Sequence, residues 1–339
     1  MRQLVKRSCE VALASLTRLR SRLPGNSLII LTYHRVLPSD HPDMPIMQPG
    51  MVVTPETFRM QLRWLRRYFR IVRLGEWLAE PGCGHHDGRS KACAITFDDG
   101  WQDTFHFAFP ILQEEQVPAT LFLVSDLVGT RMSFWPERLA RLLWNEGAGL
   151  STKAIGPREH DWLVGLGLRE LPNGGTPDRR QLDRMIHRAK QYPDDLLEGK
   201  ISNLEHAARV RPPKEPDVLS WEQVRAMTRS CLISIGSHGR THTRLRDELP
   251  KERVESEIKE SRNLLQNQLG CRVELFCYPN GDVTSGAAQF VKEHYLAACT
   301  TIRGWNSPEA DKYRLRRISI HEDPTYHQTG FLAKLSGYL

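Results

Sequence analysis

The chain has 339 residues, of which 40% are hydrophobic and 26% are charged, and its formal net charge is +7. This composition excludes disorder over most of the length and allows one large core or two smaller ones. The positive charge suits an anionic partner without specifying one, and we expect no nucleic-acid partner. No apolar run approaches the roughly 20 residues that a membrane-spanning helix needs.

Residues 1–26 predict a basic amphipathic helix, for which two interpretations compete. The helix either packs on the main domain or lies on an anionic membrane face. Its apolar stripe is broken by Glu10 and followed by Arg18, so it does not resemble a secretory signal. The seven cysteines contain no CxxC pair, which favours a reducing compartment. We therefore expect a cytoplasmic protein, with peripheral association at the cytoplasmic membrane face through residues 1–23. The oligomeric state is left open.

Beyond residue 26, short apolar runs alternate with amphipathic stretches, which predicts strands and helices in alternation. Such alternation is typical of a parallel sheet. The alternation stops at 131–218, a segment rich in charge, Pro and Gly that we interpret as an insertion. It resumes where Ser220 and Gln223 form a capping box. The predicted strands are 28–31, 92–97, 119–124, 231–235, 273–278, 296–300 and 314–320, and the predicted helices are 55–69, 103–116, 136–144, 179–190, 220–229 and 250–269.

Two groups of metal-binding residue types follow predicted strands. Asp98 and Asp99 end the strand at 92–97, and His238 and His242 lie just after another strand. Two imidazoles and one carboxylate leave a coordination position open, as in catalytic zinc sites. Each group has a structural alternative, because an Asp-Asp-Gly turn can cap a helix and an HxxxH spacing occurs by chance on surface helices.

Two further groups, Tyr33-His34 and the segment 276–281, also follow predicted strands. Each of them alone is explained by a structural histidine or by a turn. Parallel α/β folds, however, place their ligand sites at the carboxyl ends of the strands. All four groups are therefore expected at one edge of the sheet.

These residues resemble the polysaccharide deacetylase family, whose catalytic region is the NodB homology domain. The TFDDG motif stands at 96–100, HxxxH at 238–242, an aromatic-Pro motif at 276–279, and a YHxV signature at 33–36. The resemblance implies an α/β fold, a distorted (β/α)7 barrel with an insertion. The catalytic domain would comprise 27–130 and 219–325, with 131–218 as a candidate cap over the site and 326–339 as a C-terminal tail.

The resemblance also implies metal-dependent hydrolysis of the N-acetyl group of a hexosamine. The N-acetylated substrate would be a polysaccharide, glycolipid or lipid-linked precursor in cell-surface polysaccharide biosynthesis. Asp99, His238 and His242 would hold a divalent metal, with Zn²⁺ favoured and Fe²⁺, Co²⁺ or Ni²⁺ as alternatives. Asp98 would be the general base, and the backbone N–H of Tyr278 would stabilise the oxyanion.

Two histidines compete for the role of general acid. His34 matches the YHxV branch and is favoured, whereas His321 matches a late Leu-x-His motif. The family's Arg that orients the base is missing before Phe276, so Arg317 could replace it from another strand. Trp305 and Arg317 are assigned to the substrate pocket. The alternative functions are an O-acetyl esterase with the same site and a glycan-binding protein without turnover.

Overall fold

The computed structural model describes residues 2–22, 26–79, 91–146, 150, 155–170, 177–210, 213 and 215–338. Cys83, His85 and His86 stand in a Gly-rich stretch of the sequence that predicts a loop, and they lie outside the described residues. The chain divides into two units. The first comprises residues 1–37, 52–130 and 218–339, and the second comprises 38–51 and 131–217.

A closed parallel barrel forms the first unit. Seven strands follow one another in the sheet, and pairing of the first with the strand at 92–97 closes it, as the (β/α)7 prediction required. A short strand extends the sheet beside that closing strand, and two more form a separate parallel pair. The strands are β1 (Leu28–Tyr33), β2 (Arg35–Val36), β3 (Val52–Val53), β4 (Arg70–Ile71), β5 (Ala92–Phe97), β6 (Ala119–Leu123), β7 (Ile233–Ser237), β8 (Leu275–Cys277), β9 (Ala297–Arg303) and β10 (Leu315–Ser319).

Helices follow most of these strands. In the first unit they are Arg2–Arg22, Pro55–Tyr68, Leu74–Ala79, Phe109–Glu114, Trp221–Arg229, Lys251–Glu255, Ser261–Leu269, Ser285–His294, Glu322–Thr325 and Gln328–Leu335, with π-helical turns at Thr104–Ala108 and Ser256–Glu260 and a 3₁₀ turn at Pro279–Gly281. In the second unit they are Trp135–Glu146, Pro157–Leu166, Arg179–Ala189 and Asp194–Ala207, with 3₁₀ turns at Met44–Ile46 and Leu168–Glu170.

Local sequence signals explain several helix ends. The Thr54 side chain accepts a hydrogen bond from the Thr57 backbone at the start of its helix, where Pro55 takes the first helical position. Ser220 and Gln223 make both bonds of the predicted capping box. Gly270 ends the helix Ser261–Leu269 at a φ of 65°. The predicted capping box is therefore confirmed.

Close packing inside the barrel explains the glycine in β7. Gly236 stands opposite Phe122 in the register of β6 and β7. A β-carbon at Gly236 would lie 2.4 Å from Phe122 Cδ1 and 3.0 Å from the Leu275 carbonyl oxygen. A methyl group there would displace the aromatic ring and the neighbouring strand.

Gly236→Ala is therefore expected to lower the free energy of unfolding by about 1–3 kcal/mol, the usual cost of overpacking a core. Chemical denaturation monitored by circular dichroism measures the change. Gly199→Ala is the control, because Gly199 lies within a helix and a β-carbon there meets nothing within 4 Å. That substitution should stabilise the protein by up to about 1 kcal/mol. Equal stability of Gly236→Ala and the wild type would contradict the packing argument.

The two ends of the chain pack against each other. Helix Arg2–Arg22 contacts helix Gln328–Leu335, and the Thr17 hydroxyl donates to the Leu332 carbonyl at 2.8 Å. The segment predicted as a C-terminal tail, 326–339, contains the helix Gln328–Leu335, in which residues 330–335 are buried. No helix within the described part of the chain is long and apolar enough to cross a membrane. Membrane association through residues 1–23 and a cytoplasmic location stay predictions.

The second unit includes residues 38–51, which the sequence predicted as part of the catalytic domain at 27–130. Residues 38–51 join 131–217 because arginine side chains connect them. Arg141 pairs with Asp43 at 3.2 Å and with Asp217 at 2.6 Å. Arg179 donates to the Gln48 carbonyl at 3.0 Å. The role of 131–218 as a cap stays a prediction.

Candidate active site

The site residues lie at the carboxyl edge of the barrel. Tyr33 of β1 stands beside Phe97 of β5, so His34 and Asp98 leave their strands at the same level. Ser237 of β7 stands beside Phe276 of β8, and His238 follows at that edge. All four predicted groups therefore reach one end of the barrel, because its strands are parallel and in close register.

Asp99, His238 and His242 bring three metal-binding atoms together. Asp99 Oδ1 lies 3.4 Å from His238 Nε2 and 3.5 Å from His242 Nε2. These three ligand atoms all lie within 4.8 Å of one another. The Nδ1 atom of His238 is 2.8 Å from the Cys277 carbonyl oxygen, which leaves its Nε2 atom directed to Asp99. A hydrogen bond of this kind orients metal-ligating histidines in many proteins.

The backbone at two of these residues has left-handed angles. Asp99 has a φ of 76° and His242 a φ of 66°, which non-glycine residues seldom adopt. Such conformations persist where the surroundings impose them, and they cluster at functional sites. Gly100 has a φ of 83°, and a β-carbon there would lie 2.7 Å from Leu123 Cδ2. The glycine of the TFDDG motif is therefore required by the turn and by packing.

The electrostatics of the group suit a cation. Burial by itself raises the pKa of Asp99, but the hydrogen bond from His238 and the nearby His242 and His34 place that pKa far below its usual value. Burial lowers the pKa of His242 to about 4, although the negative charge of Asp99 acts to raise it. Burial also lowers the pKa of His238, yet Cys277 and the two aspartates raise it well above its usual value. A cation would compete with the proton on His238, so the affinity for a cation should decrease as the pH is lowered.

Asp98 forms a two-pronged ion pair with Arg317. Arg317 Nη1 and Nη2 lie 2.7 Å from the two carboxylate oxygens, and both residues are at most 3% exposed. Burial raises the pKa of Asp98, but Arg317 and His238 outweigh it and lower that pKa below its usual value. The predicted orienting role of Arg317 therefore has the required geometry. Its direct role in substrate binding stays a prediction, and the guanidinium is buried and paired with Asp98.

A second cluster, Asp98, His238 and Cys277, also has metal-ligand spacing. Arg317 Nη2 lies 3.0 Å from the Cys277 sulfur and 2.7 Å from Asp98 Oδ2. The guanidinium charge opposes a metal ion at this place. The carboxylate of Asp99 and the imidazoles of His238 and His242 are therefore the donor set that fits a divalent cation such as Zn²⁺.

Glu257 supports the loop between His238 and His242, the two candidate metal ligands. Its carboxylate is fully buried and accepts hydrogen bonds from the backbone N–H groups of Arg240 and Thr241, each at 2.8 Å. The Thr241 hydroxyl donates to the same carboxylate at 2.6 Å. Glu257 lies in the π-helical turn Ser256–Glu260, and such turns are frequent at functional sites. No sequence pattern marks Glu257 as a site residue, because it lies 15 residues beyond the HxxxH motif and reaches the loop only through the fold.

The two candidate general acids have different surroundings. His34 lowers the pKa of both Asp98 and Asp99, and its buried Nδ1 atom has no hydrogen-bond partner among the residues that the structure describes. His321 follows β10 and leads into the turn Glu322–Thr325, where its carbonyl accepts the Thr325 hydroxyl. His321 is not among the main influences on the pKa of either aspartate.

Two predicted site residues make contacts away from the candidate metal centre. The Tyr278 backbone N–H donates to the Cys299 carbonyl at 3.1 Å, so the β8–β9 pairing already occupies the proposed oxyanion donor. Trp305 lies at the other end of the barrel, because its neighbour Asn306 pairs with Leu28 at the start of β1. Six-residue β1 places Trp305 about 15–20 Å from the site edge, and the tryptophan packs on Phe69 instead.

The fold and the site define an α/β-barrel protein with a candidate metal centre at its carboxyl edge. The family model for polysaccharide deacetylase matches residues 85–166 and 172–298, and the chain belongs to that family.

Two relatives are similar over part of the chain. The poly-β-1,6-N-acetyl-D-glucosamine N-deacetylase of Staphylococcus epidermidis is 32% identical over 113 residues, 31% of this chain and 38% of the relative. The Bacillus subtilis protein named "Putative polysaccharide deacetylase YxkH" is 26% identical over 97 residues, 29% of this chain and 33% of the relative. The chain thus spans only about a third of the length of each of these relatives.

Solved structures extend the likeness in fold to nearly the whole chain. The Streptococcus pyogenes deacetylase PplD, in complex with acetate, has a TM-score of 0.59 at 17% identity and covers 92% of this chain and 99% of its own. IcaB from Ammonifex degensii has a TM-score of 0.57 at 19% identity and covers 93% of this chain and 100% of its own.

Proposed function

We propose that this protein is a metal-dependent de-N-acetylase acting on a hexosamine of a polysaccharide, glycolipid or lipid-linked precursor. The observation that carries the proposal is the convergence of Asp99, His238 and His242 beside the buried Asp98–Arg317 pair. Family membership and a relative named for removing acetyl groups from poly-β-1,6-N-acetyl-D-glucosamine support this choice of substrate class.

Each residue has a chemical role in this reaction. A divalent metal on Asp99, His238 and His242 would supply Lewis-acid polarisation of the acetyl carbonyl and of water. Asp98 takes the proton of the attacking water at its carboxylate. Arg317 keeps that carboxylate ionised and fixes both of its oxygens. The carbon–nitrogen bond then breaks, and the departing amine requires a proton from a general acid.

We assign the general acid to His34. His34 lowers the pKa of both aspartates, and its buried Nδ1 atom has no hydrogen-bond partner within the described part of the chain. His34→Gln is expected to lower kcat by about 10²–10⁴, the usual contribution of a positioned acid. His321→Gln is the matched variant and should keep most of the activity. Steady-state kinetics on both variants measure the difference, and the reverse ranking would transfer the role to His321.

The function is tested by acetate release. The Zn²⁺-loaded protein is incubated with β-1,6-linked N-acetylglucosamine oligomers, N-acetylated lipid-linked sugars and O-acetylated sugars in parallel. Metal-dependent release from the N-acetylated compounds would support the proposal. Release from O-acetylated sugars alone would indicate an esterase, and glycan binding without any release would indicate a binding protein.

A further inference from the structure

Trp101 makes a hydrogen bond to one oxygen of Asp99. The tryptophan directly follows the TFDDG motif and is 1% exposed. Its indole N–H donates to Asp99 Oδ2 at 2.8 Å. The other oxygen, Oδ1, is the one that faces His238 and His242 at 3.4 and 3.5 Å. The two oxygens of Asp99 therefore have separate partners, one in the protein and one at the candidate metal centre.

The indole is itself held in place. The Arg35 guanidinium lies 4.4 Å above the centre of the Trp101 ring, a cation–π contact. Arg35 Nε donates to Asp103 Oδ2 at 2.6 Å, and the Val36 backbone N–H donates to Asp103 Oδ1 at 2.9 Å. Arg35 and Asp103 are each 4% exposed. A buried chain of contacts thus runs from Asp103 through Arg35 and Trp101 to Asp99.

Local backbone preference does not explain the orientation of Asp99. Its φ of 76° is one that residues with a β-carbon avoid, so surrounding contacts must stabilise it. The Trp101 hydrogen bond is such a contact, and it leaves Oδ2 less available as a second metal-binding oxygen. The carboxylate is then directed to offer Oδ1 alone.

We propose that Trp101, held by the Arg35–Asp103 pair, is a positioning residue that presents Asp99 to the metal through Oδ1. This inference rests on the proposed function, since it concerns the same metal site. Hydrogen-bond partners of metal ligands typically contribute about 10–100-fold to metal affinity. The Trp101 N–H is the partner that supports the carboxylate ligand here.

The test compares two matched tryptophan variants. Trp101→Phe removes the N–H but keeps an aromatic ring beneath Arg35. Trp305→Phe removes an indole N–H that donates to the Leu335 carbonyl at the same distance, 2.8 Å, at the other end of the barrel. Calorimetric titration of metal-free protein with Zn²⁺ should show affinity lowered about 10–100-fold in Trp101→Phe and unchanged in Trp305→Phe.

A second readout separates positioning from general damage to the fold. With Co²⁺ in place of Zn²⁺, the visible absorption bands report the geometry of the ligands. We expect these bands to shift in Trp101→Phe at saturating Co²⁺ and to stay unchanged in Trp305→Phe. Asp103→Asn, which weakens the hold on Arg35 without touching the indole, should lower Zn²⁺ affinity in the same direction by a smaller factor.

Three results would overturn the proposal. Zn²⁺ affinity and Co²⁺ bands that are unchanged in Trp101→Phe would remove the role of Trp101 while leaving the metal site intact. An equal loss of affinity in both tryptophan variants would indicate a general effect on stability instead. No Zn²⁺ binding by the wild-type protein would overturn the proposed function, and the role of Trp101 with it.

Discussion

Asp98→Asn is expected to lower kcat/KM for N-acetyl hydrolysis by about 10²–10⁴ while Zn²⁺ still binds. The substitution keeps the size of the side chain but removes the carboxylate that accepts the proton. Asp98 lies outside the Asp99, His238 and His242 group, so the metal-binding atoms remain. Acetate-release kinetics and Zn²⁺ titration on the same preparation measure the two effects. Parallel loss of Zn²⁺ binding would assign Asp98 to the metal instead.

Thermal unfolding must accompany these kinetics, because Asn leaves the buried Arg317 without its counter-charge. Breaking a buried ion pair on one side costs about 3–5 kcal/mol. The kinetic comparison is therefore made at a temperature at which both proteins are folded.

The pH profile gives an independent check on the same base. Burial raises the pKa of Asp98 and Arg317 lowers it, with a net value below the usual one. The base is ionised above that pKa, so at saturating metal its protonation should lower wild-type kcat/KM where the pH drops through it. In Arg317→Met, His238 and His34 still lower the pKa of Asp98, but the largest opposing influence on burial is gone, so the acid limb of kcat/KM should move to higher pH. Arg317→Lys keeps a charge and should move the limb less. An unchanged acid limb in Arg317→Met would separate Arg317 from catalysis.

Asp99→Ala is expected to abolish activity and to lower Zn²⁺ affinity by more than about 100-fold. Hydrogen-bond partners of metal ligands already contribute up to about 100-fold to metal affinity, and loss of a ligand itself should cost more. The variant removes the only carboxylate of the donor set. Wild-type protein should gain about 2.7 kcal/mol of stability at a Zn²⁺ concentration 100 times Kd, and the variant should gain almost none.

Thermal unfolding with and without Zn²⁺ measures this difference. Asp247→Ala is the control, because Asp247 is exposed and lies five residues beyond His242. It should behave as the wild type does. Equal stabilisation of Asp99→Ala and the wild type by Zn²⁺ would locate the metal elsewhere.

The sequence by itself determined the parallel α/β class and, through the resemblance to a family, the barrel. Alternating strands and helices predicted a parallel sheet, and four motifs at strand ends predicted one common edge, where the structure places them. These features are readable because strand period, helix caps and chain order are local properties. The strand 92–97 and the cap at Ser220 match residue by residue.

Only the tertiary structure decided which side chains support that edge. Arg317 and Asp98 are 219 residues apart and meet because β5 and β10 both flank β1 in the closed barrel. The same closure assigned the Tyr278 N–H to strand pairing and placed Trp305 at the opposite end. Trp101 is adjacent to the motif, yet its indole finds Asp99 only through the left-handed turn at that residue. Contacts of this kind depend on strand register and side-chain direction, which no local pattern encodes.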